Sequence, residues 1–264
     1  MTTITQPAPQ RALTDVHRVA FARLFRVELR KLLDTRAGKW LLIAIGLLTL
    51  LFIVLALVFA KPPDLTYEHL VTGTATPQGF LLPVLAILAV TSEWSQRTGL
   101  VTFTLEPGRG RVVSAKLCAV VVLGIAAVLL ALALAALANL LSGPARGGSG
   151  SWAFGVSGFR DIVILQLIGM IEGFAFGMLF MNSAAAIVLY FVLPIATSII
   201  FNVVHWLQNH LAMWIDPSTT QAPLSQHTMH GTDWVHLLTG VLLWVALPFV
   251  IGTVRVLRSE VKSA

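Results

Sequence analysis

Residues 40–60 read WLLIAIGLLTLLFIVLALVFA, twenty-one residues without a charge or a proline. As a helix rising about 1.5 Å per residue, this stretch is ~31 Å long, enough to cross the hydrocarbon core of a bilayer. Of the 264 residues, 56% are hydrophobic and only 11% are charged, whereas soluble domains carry about 25% charged residues. The sequence therefore predicts an all-α membrane protein.

Further apolar stretches follow this one along the chain. Together they predict six transmembrane helices, at about 40–60, 79–94, 115–141, 159–181, 183–204 and 234–254. The second is short for a span. The other predicted segments are a disordered N-terminus (1–13), an amphipathic helix in the membrane interface (14–39), a polar loop (65–78), a basic loop (93–116), an outer loop (205–233) and a short tail (255–264).

Lysine and arginine predict the orientation of the bundle. Six spans place both termini on one side, and fifteen of the eighteen lysines and arginines then fall in segments on that side. The positive-inside rule makes it the cytoplasmic side. The net charge of +6 is explained in this way and does not indicate a nucleic-acid partner. Cys118, the single cysteine, lies in an apolar stretch and is expected to be buried and inert.

The basic loop between spans two and three reads EWSQRTGLVTFTLEPGRGRVVSAK over residues 93–116. Proline and glycine favour a turn, and Arg109 and Arg111 can reach phosphates from it. Taken alone, these features are those of an ordinary positive-inside loop.

In order, Glu93, Arg97-Thr98, Pro107, Arg109–Arg111 and Ala115-Lys116 resemble the pattern of the type-2 permease family of ATP-binding-cassette (ABC) exporters. Arg97 stands where glycine is commoner in that family, and Gly108 shortens the usual spacing from proline to arginine. Residues 26–36, RVELRKLLDTR, look like the connecting helix of the same family. The order of six spans with a long last outer loop agrees, so the resemblance covers nearly the whole chain.

The resemblance implies a bacterial cytoplasmic-membrane permease that acts with two copies of a cytoplasmic ATPase and with a second permease subunit, identical or related. Membrane lipids are the other expected partner. The implied ATPase-coupling residues are Glu93, Arg97, Thr98, Pro107, Arg109, Arg111 and Lys116 in the loop, and Arg23, Arg26 and Arg30 before the first span. The sequence contains no Gly-x-x-x-x-Gly-Lys-Ser/Thr motif. ATP and Mg²⁺ are therefore expected on the partner, and the chain is expected to transport an amphiphilic or hydrophobic substrate outward without being an enzyme or carrying a cofactor.

Glu172 is the one carboxylate well inside a predicted span, ~20 Å along the helix from Phe159. A charge at such a depth costs about 2.5–3.5 kcal/mol, so the group must be protonated, hydrogen-bonded or facing a wet cavity. We name Glu172, Asn202 and Pro194 as candidates for a translocation path or gate, with a buried structural carboxyl as the alternative. Glycines 169, 173 and 177 predict close helix packing beside Glu172.

Two other functions compete with transport. Gly155-Val156-Ser157-Gly158 and His236 occupy positions like those of the serine and histidine in a rhomboid-like intramembrane protease, which also has six spans. A non-transport membrane scaffold or sensor is the third possibility. The outer loop holds five of the seven histidines, but with no cysteine and few carboxylates nearby we predict no metal site.

Overall fold

Helices form all the regular secondary structure in this computed structural model, which describes residues 19–95, 106 and 108–258. Numbered in chain order, they are α1 (Phe21–Asp34), α2 (Arg36–Phe59), α3 (Tyr67–Ser95), α4 (Arg109–Arg146), α5 (Gly155–Phe180), α6 (Ser183–Val203), α7 (His205–His210), α8 (Ala212–Ile215), α9 (Pro217–Ser225) and α10 (Asp233–Arg258). The predicted disordered segment 1–13, the first residues of the predicted amphipathic helix and residues 259–264 of the tail lie outside the described residues.

Six of the described helices are long and apolar enough to cross a membrane: α2, α3, α4, α5, α6 and α10. For the described residues, the prediction of an all-α protein with six helices able to span a membrane is thereby confirmed. Helix α10 is α-helical except for a π-helical turn, Leu242–Ala246, in which the Leu247 N–H donates to the Leu242 carbonyl five residues back.

Helix α3 begins at Tyr67, twelve residues before the predicted start of the second span. Residues 67–78, predicted as part of a polar loop, are therefore helical. Their polar character misled the prediction, because buried amides bind this part of α3 to its neighbours. Gln78 donates to the Ala127 carbonyl of α4 at 3.0 Å, and Gln166 of α5 donates to the Ala75 carbonyl at 2.9 Å. Backbone carbonyls of neighbouring helices thus satisfy both side chains.

Helix α5 forms the centre of the bundle. About 61% of the 18-residue apolar stretch of α5 is buried, against 11% for the corresponding stretch of α6. Gly173 packs directly on the backbone of Pro83, and Gly177 packs on Ile87 of the same helix, α3. The glycines therefore serve close packing, as predicted.

The bundle presents apolar side chains outward along α2, α4, α6 and α10. Cys118 lies on this outer surface of α4 and is exposed, so the expectation that it is buried was wrong. An apolar sequence context does not distinguish the core of a bundle from its lipid-facing surface, because both are apolar.

Helix α1 packs against α4 and α2. It ends before Thr35, whose hydroxyl accepts the Gly38 N–H and caps α2, so the single predicted helix 14–39 is interrupted at this residue. In the structure Val27 is 46% exposed, whereas Glu28 is 5% exposed and belongs to the packed face.

The segment between α6 and α10, predicted as an outer loop, forms three short helices, α7 to α9. Asp216 caps α9 by accepting the Thr219 N–H, and its other oxygen accepts the Ser198 hydroxyl of α6 at 3.0 Å. The indole of Trp244 in α10 donates to the Ile215 carbonyl at 2.7 Å. The Asp216 bonds fasten α9 to α6, and the Trp244 bond fastens the adjoining α8 to α10.

Candidate functional site

At one end of the bundle, α1 meets the end of α3 and the start of α4, and the end of α10 also contacts the start of α4. Antiparallel spans bring these parts together although they are far apart in sequence. Most of the described lysines and arginines lie at this end, together with those implied coupling residues that the structure describes. It is therefore the first candidate site.

Four charged side chains form a network there, which we call the ion network: Glu28, Lys31, Glu93 and Lys116. The Lys116 ammonium lies 2.6 Å from Glu28 Oε2 and 3.2 Å from Glu93 Oε1, and it also donates to the Ala89 carbonyl at 3.2 Å. Lys31 lies 2.7 Å from Glu28 Oε1 and 3.3 Å from Glu93 Oε1. The network joins α1 to α3 and α4 without a net charge.

The ion network is largely shielded from solvent. Glu28, Glu93 and Lys116 are each 5% exposed or less. Lys31 lies nearer the surface; burial alone would lower its pKa, but the hydrogen bond and charge of Glu28, with those of Glu93, outweigh burial and raise the pKa above 10.5. Lys31 is therefore a cation at any physiological pH.

Arg109 and Arg111 also make contacts within the chain. Arg111 donates to both carboxylate oxygens of Glu106 at 3.2 and 3.3 Å, and to the Val19 carbonyl at 2.6 Å. Arg109 donates to the Val256 carbonyl at 3.1 Å, at the end of α10. A cation at the carbonyl end of a helix is favourable for the helix dipole. These two arginines therefore hold the termini of α1 and α10 against α4.

The predicted coupling residues fall into three groups. Glu93, Lys116, Arg109 and Arg111 form internal contacts. The side chains on the outer face of α1 are exposed: Arg23, Arg26 and Arg30. Three predicted residues, Arg97, Thr98 and Pro107, lie outside the described residues. Among the described candidates, the exposed arginines of α1 are the ones best placed to meet another molecule.

A second candidate site surrounds Glu172. A groove of about 390 Å³ lies between α3, α5, α6 and α9, and Glu172 and Pro194 both line it. Glu172 is 4% exposed, and its Oε1 accepts no hydrogen bond from any described residue. Asn202 is not among the groove residues; it is exposed and donates to the Ser198 carbonyl of its own helix at 2.7 Å. The structure thus brings together two of the three predicted path residues.

Sequence reasoning missed three members of the charged clusters. Glu28 and Lys31 could have been found, since opposite charges next to predicted spans at the same membrane side are candidates for pairing. Asp161 was also missed. It is fully buried, binds Arg160 at 2.7 Å, and approaches His227 of the outer segment to 3.6 Å. The adjacent arginine and aspartate at the start of α5 were the available signal.

The protease alternative finds no support in the geometry. Ser157 is exposed at the start of α5. The ring of His236 packs edge-on against Trp214, with 4.5 Å between the centroids. Nucleophilic catalysis requires a hydrogen bond between the serine and the histidine. In the described part of the chain, no hydrogen bond joins these two side chains. The described residues also contain no group of three side chains arranged to hold a metal ion.

Comparison of the sequence with models of known protein families found no match, and a search among curated proteins found none either.

Proposed function

We propose that this chain is the membrane-spanning permease subunit of an ATP-driven ABC exporter. The observation that carries the proposal is the ion network, which fastens α1 to α3 and α4 while the outer face of α1 remains exposed and basic. A subunit moved by a separate motor needs such a combination: a surface for the motor and a rigid connection from that surface to the spans.

The ion network would transmit force because its charges resist separation. Sliding α1 along α4 would pull Lys116 from Glu28, and each of these buried charges would lose one of its two oppositely charged contacts. Breaking a buried pair costs about 3–5 kcal/mol, so α1 and the ends of α3 and α4 move together. ATP-driven closure of the partner subunits would then push on α1 and on the basic loop 93–116, and tilt the spans.

The proposal includes an orientation and a partner permease. Both termini face the cytoplasm of a bacterial cell, as the distribution of lysine and arginine indicates. One six-span bundle is small for a complete pathway, and the groove around Glu172 is open on one side. A second permease subunit would complete the route for an amphiphilic or hydrophobic substrate.

The proposal is tested by purifying the tagged chain from native membranes in mild detergent and identifying the proteins bound to it. The expected partner is a soluble-type protein with a Gly-x-x-x-x-Gly-Lys-Ser/Thr motif. Reversing two exposed charges with Arg23→Glu and Arg26→Glu should lower recovery of this partner by about tenfold, since complementary charge at an interface is replaced by repulsion.

Lys61→Glu is the matched control, because Lys61 is an exposed basic residue at the opposite end of α2. It should leave recovery of the ATPase unchanged. Arg109 and Arg111 are less suitable for this test, since their charge reversal would also break contacts inside the bundle. A chain that purifies alone, while its own oligomer persists, would contradict the proposal.

A further inference from the structure

The groove around Glu172 has walls of different character. Helices α3 and α6 contribute aromatic and aliphatic side chains, among them Phe80, Tyr190 and Phe191. Helix α9 contributes polar side chains along the rim, such as Gln221 and Ser225. The volume of the groove, about 390 Å³, falls within the range of about 300–1,000 Å³ that is typical of small-molecule sites.

Glu172 supplies the only acidic side chain among the described residues that line the groove, and none of these residues is a lysine, arginine or histidine. Its Oε1 is buried and accepts no hydrogen bond from a described residue. Ionising a buried carboxyl that has no partner is costly, and a cation from outside the chain would offset that cost. The groove is therefore electrostatically suited to a positively charged ligand.

The rings nearby favour an organic cation over a metal ion. Tyr190 and Phe191 pack edge to face with centroids 5.0 Å apart, and Phe80 lies 6.0 Å from Phe191. Aromatic faces attract alkylammonium groups and also cover apolar surface. A small inorganic cation would instead require several oxygen ligands.

From these observations we propose that the groove binds an organic cation with an apolar body, such as an alkyl- or arylammonium compound, with its charge at Glu172. The site is formed before binding, because Asp216 fastens α9 to α6 and Trp244 fastens the adjoining α8 to α10. Binding is independent of any partner. The further statement that such cations are the transported substrates rests on the proposed permease function.

The test uses the full chain in nanodiscs of phosphatidylcholine, with no ATPase and no ATP. Equilibrium dialysis compares benzyltrimethylammonium with neopentylbenzene, an uncharged compound of the same shape. The wild type should bind the cation at least about tenfold more tightly than nanodiscs without protein bind it, and should prefer it to the neutral compound. Glu172→Gln should weaken cation binding by about tenfold or more and leave binding of neopentylbenzene within about twofold.

Glu68→Gln is the charge-matched control, because Glu68 is an exposed carboxylate of α3 that does not line the groove. It should bind the cation as the wild type does. Should Glu172→Gln fail to fold, Gln221→Lys places a positive charge at the rim and should weaken cation binding alone. Equal affinity for both compounds, or wild-type cation binding by Glu172→Gln, would overturn the proposal while leaving the co-purification result unaffected.

Discussion

Lys116 shows how a charge can become structural at the end of a membrane helix. Its ammonium contacts Glu28 of α1 and Glu93 of α3, although its own helix is α4. All three side chains are 5% exposed or less. The stability of this end of the bundle therefore depends on the balance of the charges more than on any one of them.

Replacing the cation alone should be severe. Lys116→Met leaves two carboxylates buried without it, and we expect a loss of about 3–5 kcal/mol in the free energy of unfolding. Denaturation of the purified chain with a titrated detergent measures this loss. Adding Glu28→Gln should restore part of the stability, because it removes one of the two carboxylates that have lost Lys116.

The control for this measurement is Lys39→Met. Lys39 is 55% exposed and pairs with Asp34 at 3.5 Å, so its loss should change the free energy by less than about 0.5 kcal/mol. If Lys116→Met were as stable as this control, the ion network would have no structural importance.

The members of the ion network could be predicted only in part. Glu93 and Lys116 stand out in the sequence because each ends or begins a span. Their pairing with Glu28 could not be deduced, since it depends on how α1 is rotated against α4. That rotation is set by packing in three dimensions, and it buries Glu28 while it leaves Val27 exposed.

At the scale of elements, the contact of α3 with α5 organises the bundle. An ideal Cβ on Gly173 would lie 2.6 Å from the Pro83 carbonyl oxygen and 3.0 Å from its Cα. Backbone atoms cannot yield as the tip of a flexible side chain can. The two helices approach this closely only because the residue is glycine.

Gly173→Ala should therefore force α3 and α5 apart and lower the free energy of unfolding by about 1–3 kcal/mol. Gly46→Ala in α2 is the matched control, because a Cβ at Gly46 would meet no atom within 4 Å. Thermal unfolding followed by tryptophan fluorescence distinguishes the two. A Gly173→Ala protein that unfolds with the midpoint of the control would show that the contact is loose.

The number and order of the spanning helices could be read from the sequence, because an apolar stretch of sufficient length is a direct consequence of bilayer thickness. The start of α3 could not be read from the sequence. Buried amides, such as that of Gln78, bind to neighbouring helices, and hydropathy counts them as polar. The groove was also unforeseen, because α9 comes from a loop that the sequence placed outside the bundle.

At the scale of the whole molecule, the predicted orientation can be tested with cysteines. Cys118 is first replaced by serine, and Lys61→Cys and Arg30→Cys are then made separately, both at exposed positions. A maleimide that does not cross membranes should label Lys61→Cys in intact cells, but Arg30→Cys only after permeabilisation. The reverse labelling pattern would contradict the predicted orientation.

The π-helical turn of α10 makes this helix sensitive to its exact length. Leu242–Ala246 hold one residue more than an α-helix would need to cover the same rise. If the same residues instead formed a continuous α-helix, everything after them would be rotated by about 100°. Gly252 would then turn away from Met178, and Arg255 would lose the Leu179 carbonyl. One inserted residue thus determines which face of the last span each later side chain occupies.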